Sequence, residues 1–124
     1  MEIVLYEREL EVMEVLWERG SATVAEVREA LEDEMAYTTV LTVLRRLEEK
    51  GFVAHDEEGR AHRYRPLVER AQARESALER LTKKLFQGSP ELLLTHLVSH
   101  KKLSKAELRR LRDLVEGQLP EEER

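Results

Sequence analysis

Nine consecutive residues concentrate most of the chemistry this chain can offer. Between Thr38 and Arg46, in TTVLTVLRR, three hydroxyls and two guanidinium groups stand close together. A hydroxyl can bond a phosphate oxygen or a base edge, and threonine and leucine can lie against a thymine methyl. Arginine can fork onto guanine or a phosphate. At about 100° per residue, Thr38, Leu41, Thr42 and Arg45 gather on one side of a helix, flanked by Thr39 and Arg46. Val40, Val43, Leu44 and Leu47 gather on the other. The first two turns of the outer face hold no acid, in a chain with 26 Asp and Glu; acids return only at Glu48 and Glu49. An ordinary surface helix fills that face with Glu and Lys, and threonine is a poor helix former, so grouping it there costs stability. The polarity suits a helix whose N-terminal turns enter a major groove. The competing reading makes the threonines filler on a solvated face.

A second basic cluster follows in GRAHRYRP, residues 59–66. Strand alternation sends Arg63 and Arg65 to one face and His62 and Tyr64 to the other. Arg60, beside the turn glycine, is the best placed to reach a groove edge or a phosphate. The candidate nucleic-acid contacts are therefore Thr38, Thr39, Leu41, Thr42, Arg45, Arg46, Arg60 and Arg63. A solvated basic hairpin balancing Asp56, Glu57 and Glu58 is the alternative for this segment.

Positioning these groups requires a scaffold, and the pattern supplies one. Residues 7–19 place Leu10, Met13 and Trp17 at i, i+3 and i+7 with Leu16 beside them, and Gly20 ends that helix. Thr23 and Glu26 have capping-box spacing, so a second helix runs from about Val24 to Leu31 with Val24, Val27 and Leu31 inward. The short connection from Gly20 to Thr23 makes the pair the front of a helix-turn-helix. The third helix covers about Tyr37 to Lys50 and stops at Gly51. Two strand-like runs, 52–56 and 60–65, surround the turn Glu57-Glu58-Gly59, and Pro66 closes the second. Helix, helix, helix, hairpin is the order of a winged helix-turn-helix.

Beyond Pro66 the chain is helical again. Residues 68–86 place Ala71, Leu78, Leu81 and Leu85 near heptad spacing, Gly88-Ser89-Pro90 interrupts, and 91–98 form a short apolar helix. Ser104 and Glu107 open a last helix through another capping box, with Leu108, Leu111, Leu114 and Val115 on it, and 121–124 read as a frayed tail. The expected fold is mainly α: a winged helix-turn-helix at 1–66 and a helical dimerisation domain at 67–124. The tail's leucines have no large partner within one chain, so a homodimer is expected.

Charge distribution agrees with a local nucleic-acid footprint. The net charge is −5, yet residues 1–35 carry three Lys and Arg against eleven acids whereas residues 36–66 carry six against five. The N-terminus lacks a signal peptide's basic flank and cleavage site, and no stretch approaches the ~20 apolar residues of a membrane span, so a cytoplasmic location is expected. The chain has no cysteine, which excludes disulfides, thiolate metal sites and a cysteine nucleophile. His96 and His100 have the i, i+4 spacing of a metal pair but no third ligand, so a buried or interface role is expected and no metal or cofactor. With no phosphate-binding glycine loop, nucleophile elbow or zinc motif, the chain does not read as an enzyme.

YTTVLTVLRRLEEKGFV and GRAHRYRP, with LEVMEVLW before them, resemble the penicillinase repressor family of BlaI, MecI and CopY type, over about Leu5 to Leu119. The resemblance implies a homodimer whose winged helices bind an inverted-repeat operator and block transcription, with the C-terminal helices interlocked. By position it implies base and backbone contacts for Thr38, Thr39, Thr42 and Arg46 and a wing contact for Arg60. The copper-responsive members sense through a C-terminal cysteine cluster, which is missing here. The antibiotic-responsive members are cleaved in the short helix matching 91–98, and the aligned bond near His96-Leu97 lacks the asparagine–phenylalanine pair of the staphylococcal members. Two other functions compete: a ligand sensor with a polar-studded cavity near Tyr6, Tyr64 and Arg74, and a winged helix used only for protein contact.

Overall fold

The computed structural model describes residues 1–124 and resolves two compact units, Met1–Arg80 and Leu81–Arg124. In the first, α1 (Glu7–Arg19), a two-residue strand β1 (Ala22–Thr23), α2 (Val24–Ala30) and α3 (Tyr37–Glu49) precede a hairpin of β2 (Val53–Glu58) and β3 (Ala61–Pro66). The helix α4 (Arg70–Leu85) follows, and its first residues belong to this unit. The expected boundary at Pro66 is therefore passed: Val68 and Ala73 enter the core, and the Ile3 amide donates to Ser76 Oγ at 2.8 Å.

Buried side chains from every element close this core. Val12, Met13 and Leu16 of α1, Val24 and Val27 of α2, and Val40, Val43, Leu44 and Leu47 of α3 meet Phe52, Val53 and Tyr64 from the wing side. The face expected of α1 is rotated. Its buried residues are Glu9, Val12, Met13 and Leu16, while Leu10 is 42% exposed. Glu9 takes the place of the expected leucine because its charge is paired there: Oε1 accepts from the Tyr6 amide and from Lys50 Nζ, both at 2.9 Å, and the Lys50 ammonium lies 2.8 Å from Oε2. Lys50 also lies over the Tyr6 ring, 4.8 Å from its centroid. Trp17 is only half-buried, its indole N–H donating to the Val68 carbonyl at 2.8 Å.

The sheet has the order β1-β3-β2 and is antiparallel throughout. The wing hairpin pairs Glu58 with Ala61 and Val53 with Pro66, leaving Gly59 and Arg60 as a two-residue loop. Both strands shift slightly from the sequence reading: β2 takes in Glu57 and Glu58, and the turn falls on Gly59-Arg60. Gly59 has φ 62° at the first loop position, the place a tight hairpin of this length gives to glycine. β1 was not legible in the sequence, since two residues make a strand only against a distant partner: Ala22 pairs with Tyr64 and Thr23 with Arg63.

The second unit is built differently. After the break at Gly88, α5 (Pro90–His100) and α6 (Lys105–Gly117) precede a 3₁₀ turn at Glu121–Glu123. The turn replaces the expected frayed end, and α5 reaches His100 rather than ending before it. Ser89 and Ser104 cap α5 and α6, each accepting from an amide three residues on. Neither helix buries a residue. No helix of the chain is long and apolar enough to cross a membrane.

Candidate nucleic-acid interface

α3 is held as a rigid rod by its inner face and left open on its outer one. Val40, Val43, Leu44 and Leu47 are buried at one i, i+3, i+4, i+7 stripe. At the far end, the Lys50–Glu9 ion pair ties the helix terminus to α1. Thr38, Thr42, Arg45 and Arg46 are exposed together, and Thr39 is half-exposed. Leu41 departs from the expectation: it is half-buried and packs on the core, so that face is made of hydroxyls and guanidinium groups. Thr42 Oγ1 donates to the Thr38 carbonyl at 2.9 Å, which spends its proton within the helix and leaves the oxygen facing outward as an acceptor.

The start of α3 differs from the starts of its neighbours. α2, α5 and α6 each open on a Thr or Ser whose side chain accepts a first-turn amide, and each has a Glu in the first turn. α3 opens on Ala36, with no side-chain cap and no acid in that turn. Its leading amides and the positive end of its dipole are thus available to an outside anion, the arrangement by which helix N-termini hold phosphate oxygens.

The wing brings up a second group of cations, and they are not equivalent. Arg60 sits at the exposed tip with no ion pair. Arg63, expected beside it as a contact, is already paired within the chain: its guanidinium hydrogen-bonds Glu58 and lies 3.0 Å from Glu26. The hydrogen bond to Glu58 and the charges of Glu26 and Glu58 raise the Arg63 pKa above its ordinary value, and the Arg63 hydrogen bond holds the Glu58 carboxyl below its own. Arg65 pairs with Asp56 at 3.3 Å. Arg63 therefore fastens the wing to the start of α2. The other face of the hairpin carries Tyr64, 1% exposed, whose hydroxyl pKa is pushed up by burial and then by the Glu48 charge. Strand alternation sets the face of Tyr64, and packing against the helices sets its depth.

The histidines of the second unit do not form a metal site. His96 and His100 stack at 4.1 Å between centroids on exposed α5, and no group of three or more metal-ligating side chains occurs. A cleft of about 420 Å³ opens between α1, the end of α2 and Arg70. Its walls are Glu11, Glu14, Glu18, Glu32 and Asp33 around Val15, Ala30 and Leu31. The cavity that a ligand sensor would need near Tyr6, Tyr64 and Arg74 is not this one, and Tyr64 is buried in the core.

A sequence profile of the penicillinase repressor family matches residues 5–117. The chain belongs to the penicillinase repressor family. It is 40% identical over 91 residues to the transcriptional regulator BlaI of Mycobacterium tuberculosis, a match covering 70% of this chain and 66% of that protein. It is 28% identical over 110 residues to the penicillinase repressor of Bacillus licheniformis, covering 87% and 86%. The chain thus spans just under two thirds of the mycobacterial relative. Among solved structures, the monomeric form of Bacillus licheniformis BlaI in complex with the blaP half-operator is similar at 32% identity, with a TM-score of 0.50. That match covers 58% of this chain and 90% of the other. Within this family, the first unit is a winged helix, with β2–β3 as its wing.

Proposed function

We propose that this chain is a transcriptional repressor that binds a pseudo-palindromic DNA operator as a homodimer, each subunit laying α3 into a major groove. The observation that carries the proposal is the uncapped, acid-free start of α3 with Thr38, Thr42, Arg45 and Arg46 exposed on one face. The half-operator complex of the related BlaI supports it. In this reading the leading amides of α3 and Arg46 take backbone phosphates, while Thr38, Thr39, Thr42 and Arg45 reach base edges. Arg60 adds a phosphate or groove contact from the wing tip, and Arg63 sets where that tip lies.

Residues 81–124 serve as the dimerisation segment. In the second unit Leu92, Leu97, Leu108, Leu114 and Val115 are all exposed in the single chain. Covering them with a second copy removes apolar area from water at about 25 cal/mol per Å². Two-fold symmetry then fixes the operator as two half-sites about one helical turn, or a multiple of it, apart. Repression follows from occupancy of that site, and no catalytic step is involved.

Selection from random duplexes with the purified protein, followed by titration at two salt concentrations, tests the proposal. An inverted repeat should emerge. Arg46→Ala should weaken binding and flatten the salt dependence by about one charge. A protein that ignores every duplex at low salt would instead favour a winged helix used for protein contact.

A further inference from the structure

The wing is fastened on both faces, and the two fastenings differ in kind. On one face Arg63 reaches Glu26 and Glu58, groups that stay charged across the neutral range. On the other, His55 of β2 is gripped by Glu48 of α3, with Nδ1 2.8 Å from Oε1 and 2.7 Å from Oε2. A carboxylate only accepts, so that nitrogen carries the proton. His62 of β3 stacks on the same imidazole, centroids 4.2 Å apart and planes 12° from parallel, and Tyr64 abuts it at 5.2 Å. His55 lies opposite Tyr64 in the ladder and Glu57 opposite His62, so the two imidazoles meet on the diagonal. The charged and titratable groups around the cluster are Glu48 from α3, Glu57 on the strand of His55, and Tyr64 and His62 from β3. Arg45 and Tyr37 of α3 also act on Tyr64.

We propose that His55 is a positioning residue for DNA binding: held by Glu48, it sets the wing on the recognition helix, and a charge on the stacked His62 loosens that hold. The proposal rests on the repressor reading above. Three charge states follow from the geometry. With both rings neutral, an uncharged N–H donates to Glu48. With His55 alone protonated, the same contact becomes an ion pair. With both protonated, two cationic rings face each other at 4.2 Å and press β3 away from the contact. The wing's contribution to affinity is therefore greatest in the singly charged state. The range in which to look for them is about pH 5 to 8, where histidine side chains in general change charge.

The test is a set of titrations of the full chain with its selected operator duplex at fixed salt across that range, each variant measured with Arg60 intact and as Arg60→Ala. The ratio of the two affinities is the wing's share. For the wild type it should be about tenfold at its maximum and fall on both sides. His55→Gln should bring it close to one at every pH. His62→Gln should remove only the fall on the acid side. Amide relaxation of Gly59 and Arg60 in the free protein should show a looser wing tip in His55→Gln. A folded His55→Gln protein that keeps the wild-type share and pH profile overturns the inference. Should His55→Gln fail to fold, Glu48→Gln decides: it keeps an acceptor but no charge, so a flattened profile supports the inference and an unchanged one overturns it. A wild-type protein that binds no duplex would refute the repressor reading alone. In that case the relaxation measurement still decides, and a tip as rigid in His55→Gln as in wild type overturns the positioning role.

Discussion

The two compact units of this chain solve the same problem in opposite ways. The first buries apolar side chains from four helices and a sheet in a common core, down to 0% exposure at Val12, Met13, Leu16, Leu44 and Leu47. The second has regular, well-capped helices and buries nothing. Capping and propensity make a helix possible, but tertiary burial of an apolar face provides most of its stability. The first unit thus has within one chain what it needs to stay folded, and the second has only half of it. In the proposed dimer, association through the second unit completes it and leaves the first to present α3.

Charging the unfilled face gives the largest expected effect. Leu97→Glu with Leu114→Glu should convert a dimer into monomers by sedimentation and lower operator affinity by about 10²–10⁴, the loss of linked binding. The melting of the first unit should hardly move. A dimer that survives both charges would break the comparison. Within the filled core, Leu44→Ala should cost about 2–5 kcal/mol by denaturant unfolding, whereas Leu108→Ala should cost far less in a monomeric background.

Smaller effects separate residues within the first unit. Arg46→Ala should cost about 1–3 kcal/mol in operator affinity with a reduced salt slope, while Arg63→Ala should weaken binding with the slope nearly unchanged, because its charge is spent on Glu26 and Glu58. Equal slopes for both variants would return Arg63 to the contact surface. The smallest effect sets the units side by side in acid. Glu26 and Glu107 are both held below the ordinary carboxylate value of 4.5, each chiefly by its capping hydrogen bonds, to Thr23 and to Ser104. A depressed carboxyl stabilises the fold fully above its ordinary value, and that stabilisation is lost as pH falls through the folded-state value. Circular dichroism in mild acid should show both helix starts weakening together, and Glu26→Gln and Glu107→Gln should each blunt the change.

Where the sequence was legible, local rules and tertiary packing agreed. The Thr23 and Ser104 capping boxes, the stop at Gly20 and the inner stripe of α3 are set by a few neighbouring residues, and all of them form as the pattern predicts. The departures have long-range causes. Glu9 is buried because Lys50, 41 positions away, reaches it. β1 exists because β3 lies beside it. Arg63 is tied up in ion pairs because Glu26 and Glu58 lie within reach, which neither alternation nor composition reveals. Leu41 was placed outward by angle alone, yet an apolar side chain at the edge of a stripe folds back onto the core. The hydroxyls and Arg45 and Arg46 were legible because nothing distant competes for them.

Amide chemical-shift mapping during titration with the selected operator addresses the outward face of α3 most directly. The account requires the largest changes at Tyr37–Arg46 and at Gly59-Arg60, with the Val12–Leu16 core nearly silent. Changes centred on α5 and α6, with α3 unmoved by saturating duplex, would contradict it.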